Sequence, residues 1–298
     1  MSRSESAGET AGETAAYWLY RSMAWVAARL PTAIGRRLFA ALGAVAHAVL
    51  PKVRSTVAAN QARVLGRESD DPLVGSSTRA AFRLYGRYWF DTFDAIDWSD
   101  EQMNREFRWT NFDLFREPLQ AGTGVIAVLP HFGNWDVAGR AMAAQGIRVL
   151  SVAERLRPER LYELFLEHRR ALRMDIVALD DKRVGRALGE AVAANRIVAL
   201  VCDRDLTGRG LPVEMFGATR MMPLGPAALS LSTGAPLVAA AVHTTAEGWS
   251  CTLSSVDAPR TGDRRADAAA LTRAIAAEFE RIISTEPSDW HMFQPGWE

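Results

Sequence analysis

The chain has 298 residues, 48% hydrophobic and 23% charged, with 35 basic and 35 acidic side chains. That composition excludes a mostly disordered or fibrous protein, and its two cysteines, Cys202 and Cys251, exclude a disulfide framework or a multi-thiolate metal site. The zero net charge hides an asymmetry, because Thr14 to Arg67 carries eight basic residues and no Asp or Glu. Residues 1–14 hold the tandem AGET-AGET without an apolar anchor and are predicted to be a disordered tail, leaving 15–298 as a single domain. From Ala15 the pattern is helical, with Tyr17, Trp18, Tyr20, Met23 and Trp25 ahead of a stop near Pro31. Thr32 is expected to cap a second helix to Leu50, and Ser55 a third through Arg63. Trp, Tyr and Arg without acids suit amphipathic helices lying in a lipid headgroup region, so 15–66 is expected to face an anionic membrane surface. The alternative is that these helices simply pack on the domain. Nucleic acid is not an expected partner, since the segment is mainly apolar and has no recognition module. The longest charge-free apolar stretch, Leu38 to Leu50, falls short of the ~20 residues of a spanning helix. The start also lacks the basic-then-apolar order of a secretory signal. A peripheral protein on the cytoplasmic face of the plasma membrane is therefore expected.

Residues 75–95 read as another helix and DWSDEQMNREF as an acidic helical linker. Strand and helix signals then alternate. GTGVIAVLP, IRVLSVAE, MDIVALD, RIVALVCD, PLVAAAVHT and WSCTLSSV read as strands. Asn134–Gln145, Arg157–Arg173, Lys182–Asn195, Leu224–Thr233 and Asp267–Thr285 read as helices. The alternation predicts an α/β fold, with a mainly parallel central sheet flanked by helices and preceded by N-terminal amphipathic helices. Chemistry in such folds gathers at the carboxyl ends of strands.

VLPHFGNWD is the most informative segment. A buried strand ends at Pro130, His131 follows, Phe132-Gly133-Asn134 turns into a helix, and Asp136 lies in its first turn. The H-x4-D spacing can fold the carboxylate onto the imidazole, fix its tautomer and make it a general base for a substrate hydroxyl. The first amides of the helix would favour negative charge nearby. The plainer reading is a structural histidine with Asp136 capping the helix.

HFGNWD resembles the H-x4-D/E motif of the glycerolipid acyltransferase superfamily. NQARVLG (60–66), RYW (87–89), VAERLRPERLYE (152–163), DRDLTGRG (203–210), EMFGATRMMPLGPAALSLSTGAPLV (214–238) and DWHMFQP (289–295) are similar to its lipid A late acyltransferase branch. They are most similar to the phosphatidylinositol mannoside acyltransferases. The resemblance implies acyl transfer from acyl-CoA, such as palmitoyl-CoA, to a mannose hydroxyl of phosphatidylinositol mannoside. His131 would be the general base and Asp136 its orienting acid. It also implies a second acidic residue near the next strand end. Asp203 and Asp205 both match that position, where relatives are expected to carry glutamate, and Glu154 competes. Arg169 matches a family arginine that meets the acceptor phosphate, and Arg204 and Arg220 are further candidates for substrate binding.

An acyl chain should enter a long apolar cavity near His131, lined from helix 132–145 and the adjoining strands. The alternatives are a thioesterase or lipid esterase using the same His-Asp pair, an acyltransferase for another glycolipid or a lysophospholipid, and a lipid-binding protein without catalysis. There is no G-x-S-x-G, no P-loop and no dinucleotide fingerprint. The five histidines lack ligand spacing, so no metal and no cofactor beyond the donor are expected.

Overall fold

The computed structural model describes residues 9–297. Helix α1 (Ala11–Ala27) begins inside the predicted tail, because Thr10 and Glu13 form a reciprocal capping box. Glu13 N–H donates to the Thr10 hydroxyl at 3.2 Å, and Thr10 N–H to the Glu13 carboxylate at 2.8 Å. The rest of the predicted tail, residues 1–8, lies outside the described residues. Helix α2 (Thr32–Val49) starts where predicted, but the Thr32 hydroxyl donates to Asp94 at 2.9 Å instead of capping. Helix α3 (Pro51–Leu65) begins at its proline, ahead of Ser55, since proline suits a first helical turn. Helix α4 (Pro72–Asp94) is the long partner of α2. The two cross at backbone contact, because a Cβ on Gly43 would stand 2.1 Å from the Phe82 carbonyl oxygen and one on Gly86 2.1 Å from that of Phe39.

The α/β part follows as α5 (Asp100–Glu106), β1 (Phe107–Thr110), α6 (Asp113–Gln120), β2 (Val125–Leu129), α7 (Trp135–Ala144), β3 (Val149–Ala153) and α8 (Glu159–Ala171). It continues with β4 (Asp175–Ala178), α9 (Val184–Ala193), β5 (Ile197–Val201), β6 (Leu211–Met215), β7 (Ala218–Met222), α10 (Gly225–Thr233), β8 (Leu237–Thr244), β9 (Trp249–Val256) and α11 (Arg264–Thr285). Every α/β element that the alternation predicts is present within a few residues; β1, α6 and the β6–β7 hairpin are additions. The seven-stranded sheet has the order β1-β9-β8-β2-β5-β3-β4, and only the β8–β9 pairing is antiparallel.

Strand alternation divides the core between the two faces of the sheet. Val125, Ala127 and Leu129 pack with Val137, Ala141 and Met142 of α7. Ile126 and Val128 pack with Leu188 and Val192 of α9 and with Ile275 and Phe279 of α11. Each fully buried aliphatic of this kind contributes about 1.5–3 kcal/mol. From β2 the chain crosses outward to β3 and β4, returns to β5 beside β2, and crosses to β8 on the other side. This reversal around β2 opens a crevice at its carboxyl end, where α/β sheets hold their ligands.

Candidate active site

His131 and Asp203 each lie two residues beyond the end of a central strand, β2 and β5. The strands pair in parallel, Leu129 opposite Val201, and the ladder runs on through Cys202 N–H to the Leu129 carbonyl at 2.9 Å. His131 and Asp203 keep the strands' own offset of 72 residues, so they stand side by side across the extended register. His131 Nδ1 lies 2.5 Å from Asp203 Oδ1, and the His131 backbone N–H donates to Oδ2 at 3.0 Å. The Trp290 indole N–H also donates to Oδ2, at 2.9 Å, and Arg220 Nε donates to the Asp203 carbonyl at 2.8 Å.

Burial alone would push the Asp203 carboxyl up. The His131 and Arg220 charges and the His131 and Trp290 hydrogen bonds outweigh it and hold the carboxyl well below the usual range. Asp203 is therefore an acceptor only, so whenever the imidazole is neutral its one proton sits on Nδ1 and its lone pair on Nε2. The His131 side chain keeps 28% of its surface exposed, while Asp203 keeps none.

Asp136 is not the residue that orients His131. Its carboxylate accepts Arg169 Nε at 2.8 Å and Nη2 at 3.3 Å on its two oxygens, and the Tyr88 hydroxyl at 2.6 Å. Burial opposes its charge, but the Arg169 guanidinium more than compensates and keeps the carboxyl low. The pair locks α7 to α8 and α4. Arg169 is buried and spent on it, so the expected free phosphate contact is corrected as well. Arg220 is likewise buried, holding the Asp203 and Gly296 carbonyls, and is not presented to a ligand phosphate. Asp205, the other candidate second acid, accepts from the Thr207 N–H and hydroxyl and from Gly210 N–H, and so shapes its own loop. Glu154 and Arg204 remain at the edge, paired with each other at 3.3 Å, and Arg204 also meets Gln294.

Each residue of HFGNWD has a place in this turn. Phe132 anchors the turn in the core. Gly133 has φ 61°, and a Cβ there would lie 1.6 Å from the Val242 carbonyl oxygen, so only glycine fits. Asn134 caps α7, its side-chain oxygen accepting Val137 N–H at 3.0 Å. Trp135 sets its ring edge-on to His131 at 5.2 Å.

The closing segment DWHMFQP is bonded to the same turn. The Asp289 carbonyl accepts Gly133 N–H at 2.8 Å, and His291 N–H donates to the His131 carbonyl at 2.7 Å. Asn60 of α3 donates to the Met292 and Gln294 carbonyls at 2.9 and 2.8 Å. This strap ties the N-terminal helices to the sheet edge that carries His131. Sequence reasoning missed Trp290 as a partner of Asp203 and Tyr88 as a partner of Asp136, although both lie in the segments that carry the resemblance. The His291 imidazole is buried and pushed down to about 3 by desolvation and by His131, so it stays neutral beside the site.

Behind Trp135 an apolar seam of about 40 Å³ runs between α7 and the sheet. Small residues from four neighbouring strands, Ala127, Ser151, Ala199 and Ala240, leave it open beneath Ala138, Gly139 and Met142. A long acyl cavity opening near His131 was expected here; the seam is instead closed to little more than the space of one water, and His131 is not in its lining, because Met142 and Met174 fill the space under α7.

The description "Bacterial lipid A biosynthesis acyltransferase" belongs to a family that matches residues 9–298. Two phosphatidylinositol mannoside acyltransferases from Mycobacterium tuberculosis, strains H37Rv and CDC 1551, are each 36% identical over 245 residues, covering 80% of this chain and 75% of theirs. A third, from Mycolicibacterium smegmatis, is 35% identical over 240 residues, covering 80% of this chain and 77% of its own. Combined with the mainly parallel sheet and the histidine at its central edge, these matches show that the chain belongs to the bacterial lipid A biosynthesis acyltransferase family.

Proposed function

We propose that this acyltransferase moves a long acyl group from acyl-CoA to a mannose hydroxyl of phosphatidylinositol mannoside, with His131 as general base and Asp203 as the residue that orients it. One observation carries the reading: an imidazole held at Nδ1 by a buried carboxylate is itself partly exposed at the sheet edge and stands against Trp135, a residue that lines an apolar seam. The acceptor follows the names of the relatives. In the reaction, Nε2 takes the hydroxyl proton as the oxygen bonds to the thioester carbonyl carbon. The carbon–sulfur bond then breaks, and Nε2 returns the proton to the departing thiolate. The Asp203 charge stabilises the imidazolium between these steps. The first turn of α7 faces the same edge and favours the oxyanion. In this reading the acyl chain enters beside Trp135, and the seam must first be opened by rotamer changes of Met142 and of Met174, whose thioether lies against Gly139.

The N-terminal helices support a membrane-bound setting. Gly35, Phe39 and Gly43 turn one stripe of α2 into α4, yet the neighbouring stripe, Ile34, Leu38, Leu42, Val45 and Val49, is also apolar and is exposed. Trp18, Leu19 and Trp25 of α1 are exposed too. No single described helix is long and apolar enough to cross a membrane; α2 and α3 pass that test only as a pair bent by 100°. With eight basic residues and no acids between Thr14 and Arg67, this surface suits the interface of an anionic bilayer at its cytoplasmic face, where acyl-CoA is supplied.

Acylation of purified phosphatidylinositol mannoside by palmitoyl-CoA, read by mass spectrometry, tests the chemistry. His131→Ala should abolish product while melting as the wild type does. Turnover by that variant overturns the base assignment, and full-rate CoA release without acceptor makes the protein a hydrolase. Leu38→Glu with Val45→Glu, both on the exposed stripe, should reduce co-sedimentation with anionic vesicles; unchanged sedimentation would remove the membrane reading.

A further inference from the structure

The face of the sheet opposite the seam holds a larger cavity that the acyl-transfer step does not use. It has a volume of about 650 Å³, within the ~300–1,000 Å³ range of ligand pockets, and lies between α9, α10 and the strand face. Its depth is aliphatic, formed by Val152, Leu188, Leu200 and Leu229 among others, with no aromatic ring in its lining. Its mouth is cationic. Arg204, Arg209 and Arg264 reach it, and the Arg204 Nε is buried without a hydrogen-bond partner.

Two helices also begin there. The first residues of α9 and of α10 line the mouth, and neither helix has a side-chain cap or an acid in its first turn. Both therefore add positive potential where an anion would sit. The two carboxylates nearby are already committed, Asp205 to its loop and Glu154 to Arg204. Beside the mouth, and sharing Arg204 and Asp205 with it, is a polar hollow of about 420 Å³ that Arg63 and Trp297 also line.

A cationic cup continuous with an aliphatic groove matches an amphiphile that has an anionic head and a hydrocarbon tail. The absence of aromatic lining disfavours a nucleotide base in the groove, which would want a ring to stack on. We infer that the groove takes one acyl chain of a phosphatidyl lipid, with its phosphate in the arginine cup around Arg204 and Arg209. The lipid class is that of the proposed acceptor, and to that extent the inference rests on the proposed function. It also implies that the protein grips two chains at once, the donor's on the α7 face of the sheet and a lipid's on the α9–α10 face.

The test needs no catalysis, so it can fail while the chemistry stands. Full-length protein is photolabelled with a lysophosphatidylinositol whose single chain ends in a diazirine, and the labelled peptides are mapped by mass spectrometry. Label is expected in α9 and α10, at about tenfold the level given by the matching monoacylglycerol, which has the same chain and no phosphate, because one hydrogen bond to a charged group is worth about that factor. Gly185→Leu should remove it: Gly185 lines the groove, an added Cβ there meets nothing within 4 Å, and leucine favours the helix. Arg209→Ala should reduce the label and narrow the preference over the monoacylglycerol. His131→Ala should leave it unchanged. Label confined to α7 would put the chain in the seam and overturn the proposal. Equal labelling by the two lipids, or label that survives Gly185→Leu, would do the same.

Discussion

Asp203, just past β5, and Asp136, in the first turn of α7, are both fully buried, both flank the loop that carries His131, and both keep their charge. Their partners differ. Asp203 spends its oxygens on the His131 ring, the His131 backbone and Trp290, and so holds a group that is itself partly open to solvent. Asp136 spends its oxygens on Arg169 and Tyr88, and so holds α7 against α8 and α4. The carboxylate five residues along the chain is the structural one, and the carboxylate 72 residues away is the one at the imidazole. Proximity along a helix turn is decided by which way each side chain leaves the backbone. Proximity across a parallel sheet is decided by register, which brings equal offsets from two strand ends together.

Substitution should separate the two roles. Asp203→Asn is the most damaging for activity. The amide offers a donor to Nδ1, favours the tautomer protonated at Nε2 and removes the base, so kcat should fall about 10³-fold or more with a folded protein. A loss of only a few-fold would mean that Asp203 is not the orienting acid. Asp136→Ala should do the reverse. It strands the Arg169 charge in the interior and should cost about 3–5 kcal/mol of stability, a drop of about 10 °C in Tm, while activity per folded molecule stays close to wild type. If Asp136→Ala instead melts normally and loses turnover, the division between the two aspartates fails.

The difference also marks how far the residues alone could be read. Strands such as VIAVL and IVALV are continuous apolar runs that only a covered parallel sheet explains, and helices between them were legible from their period. The start of α1 sends two conflicting signals: T-x-x-E at Thr10 and Glu13 is a capping-box signature, and it lies inside a stretch whose repeat suggests disorder. The β6–β7 hairpin was harder. Its strands are short, Pro212 and Glu214 interrupt one, and its turn is Phe216-Gly217 with positive φ at both residues instead of the usual Asn-Gly or Asp-Gly. In the site, His131 was legible because a strand end and a turn announce it. The choice between Asp203 and Asp205 was not, because one residue points to the sheet edge and the other back into its own loop, and that depends on where β5 ends. Nor could the sequence show that Arg169 and Arg220 are consumed by buried partners, since an arginine in a list of residues looks equally free wherever it folds.

The support behind Asp203 offers a milder test. Trp290→Phe keeps the ring in the core but removes one of the two hydrogen bonds to Oδ2. Hydrogen bonds to charged groups contribute about 1.5–3 kcal/mol, so kcat should fall by about tenfold while the KM for acyl-CoA stays put. A rise in KM without change in kcat would move Trp290 from positioning the acid to shaping the donor site.

The smallest effect sits one residue earlier and runs opposite in sign to Asp203. Asp289 is buried, and desolvation pushes its carboxyl up to about 7; its Oδ2 accepts Thr244 N–H at 2.7 Å, but its Oδ1 has no partner. A carboxyl whose folded pKa exceeds its unfolded one binds more protons folded than unfolded between those values. Its stabilising contribution is therefore present below the ordinary carboxylate range and is lost as pH rises to about 7, after which it is flat. Asp203, held low in the fold, contributes in the other direction, with stability that is present above the ordinary range and lost in acid. Asp289→Asn keeps an oxygen for Thr244 and cannot ionise. The Tm difference between this variant and the wild type should therefore shift in the variant's favour as pH is raised from about 5 to about 7.5, then level off. A difference that does not change with pH would mean that Asp289 is already ionised in the fold, with a counter-charge or water at Oδ1, and that the strap after α11 holds a charge at the Gly133 turn.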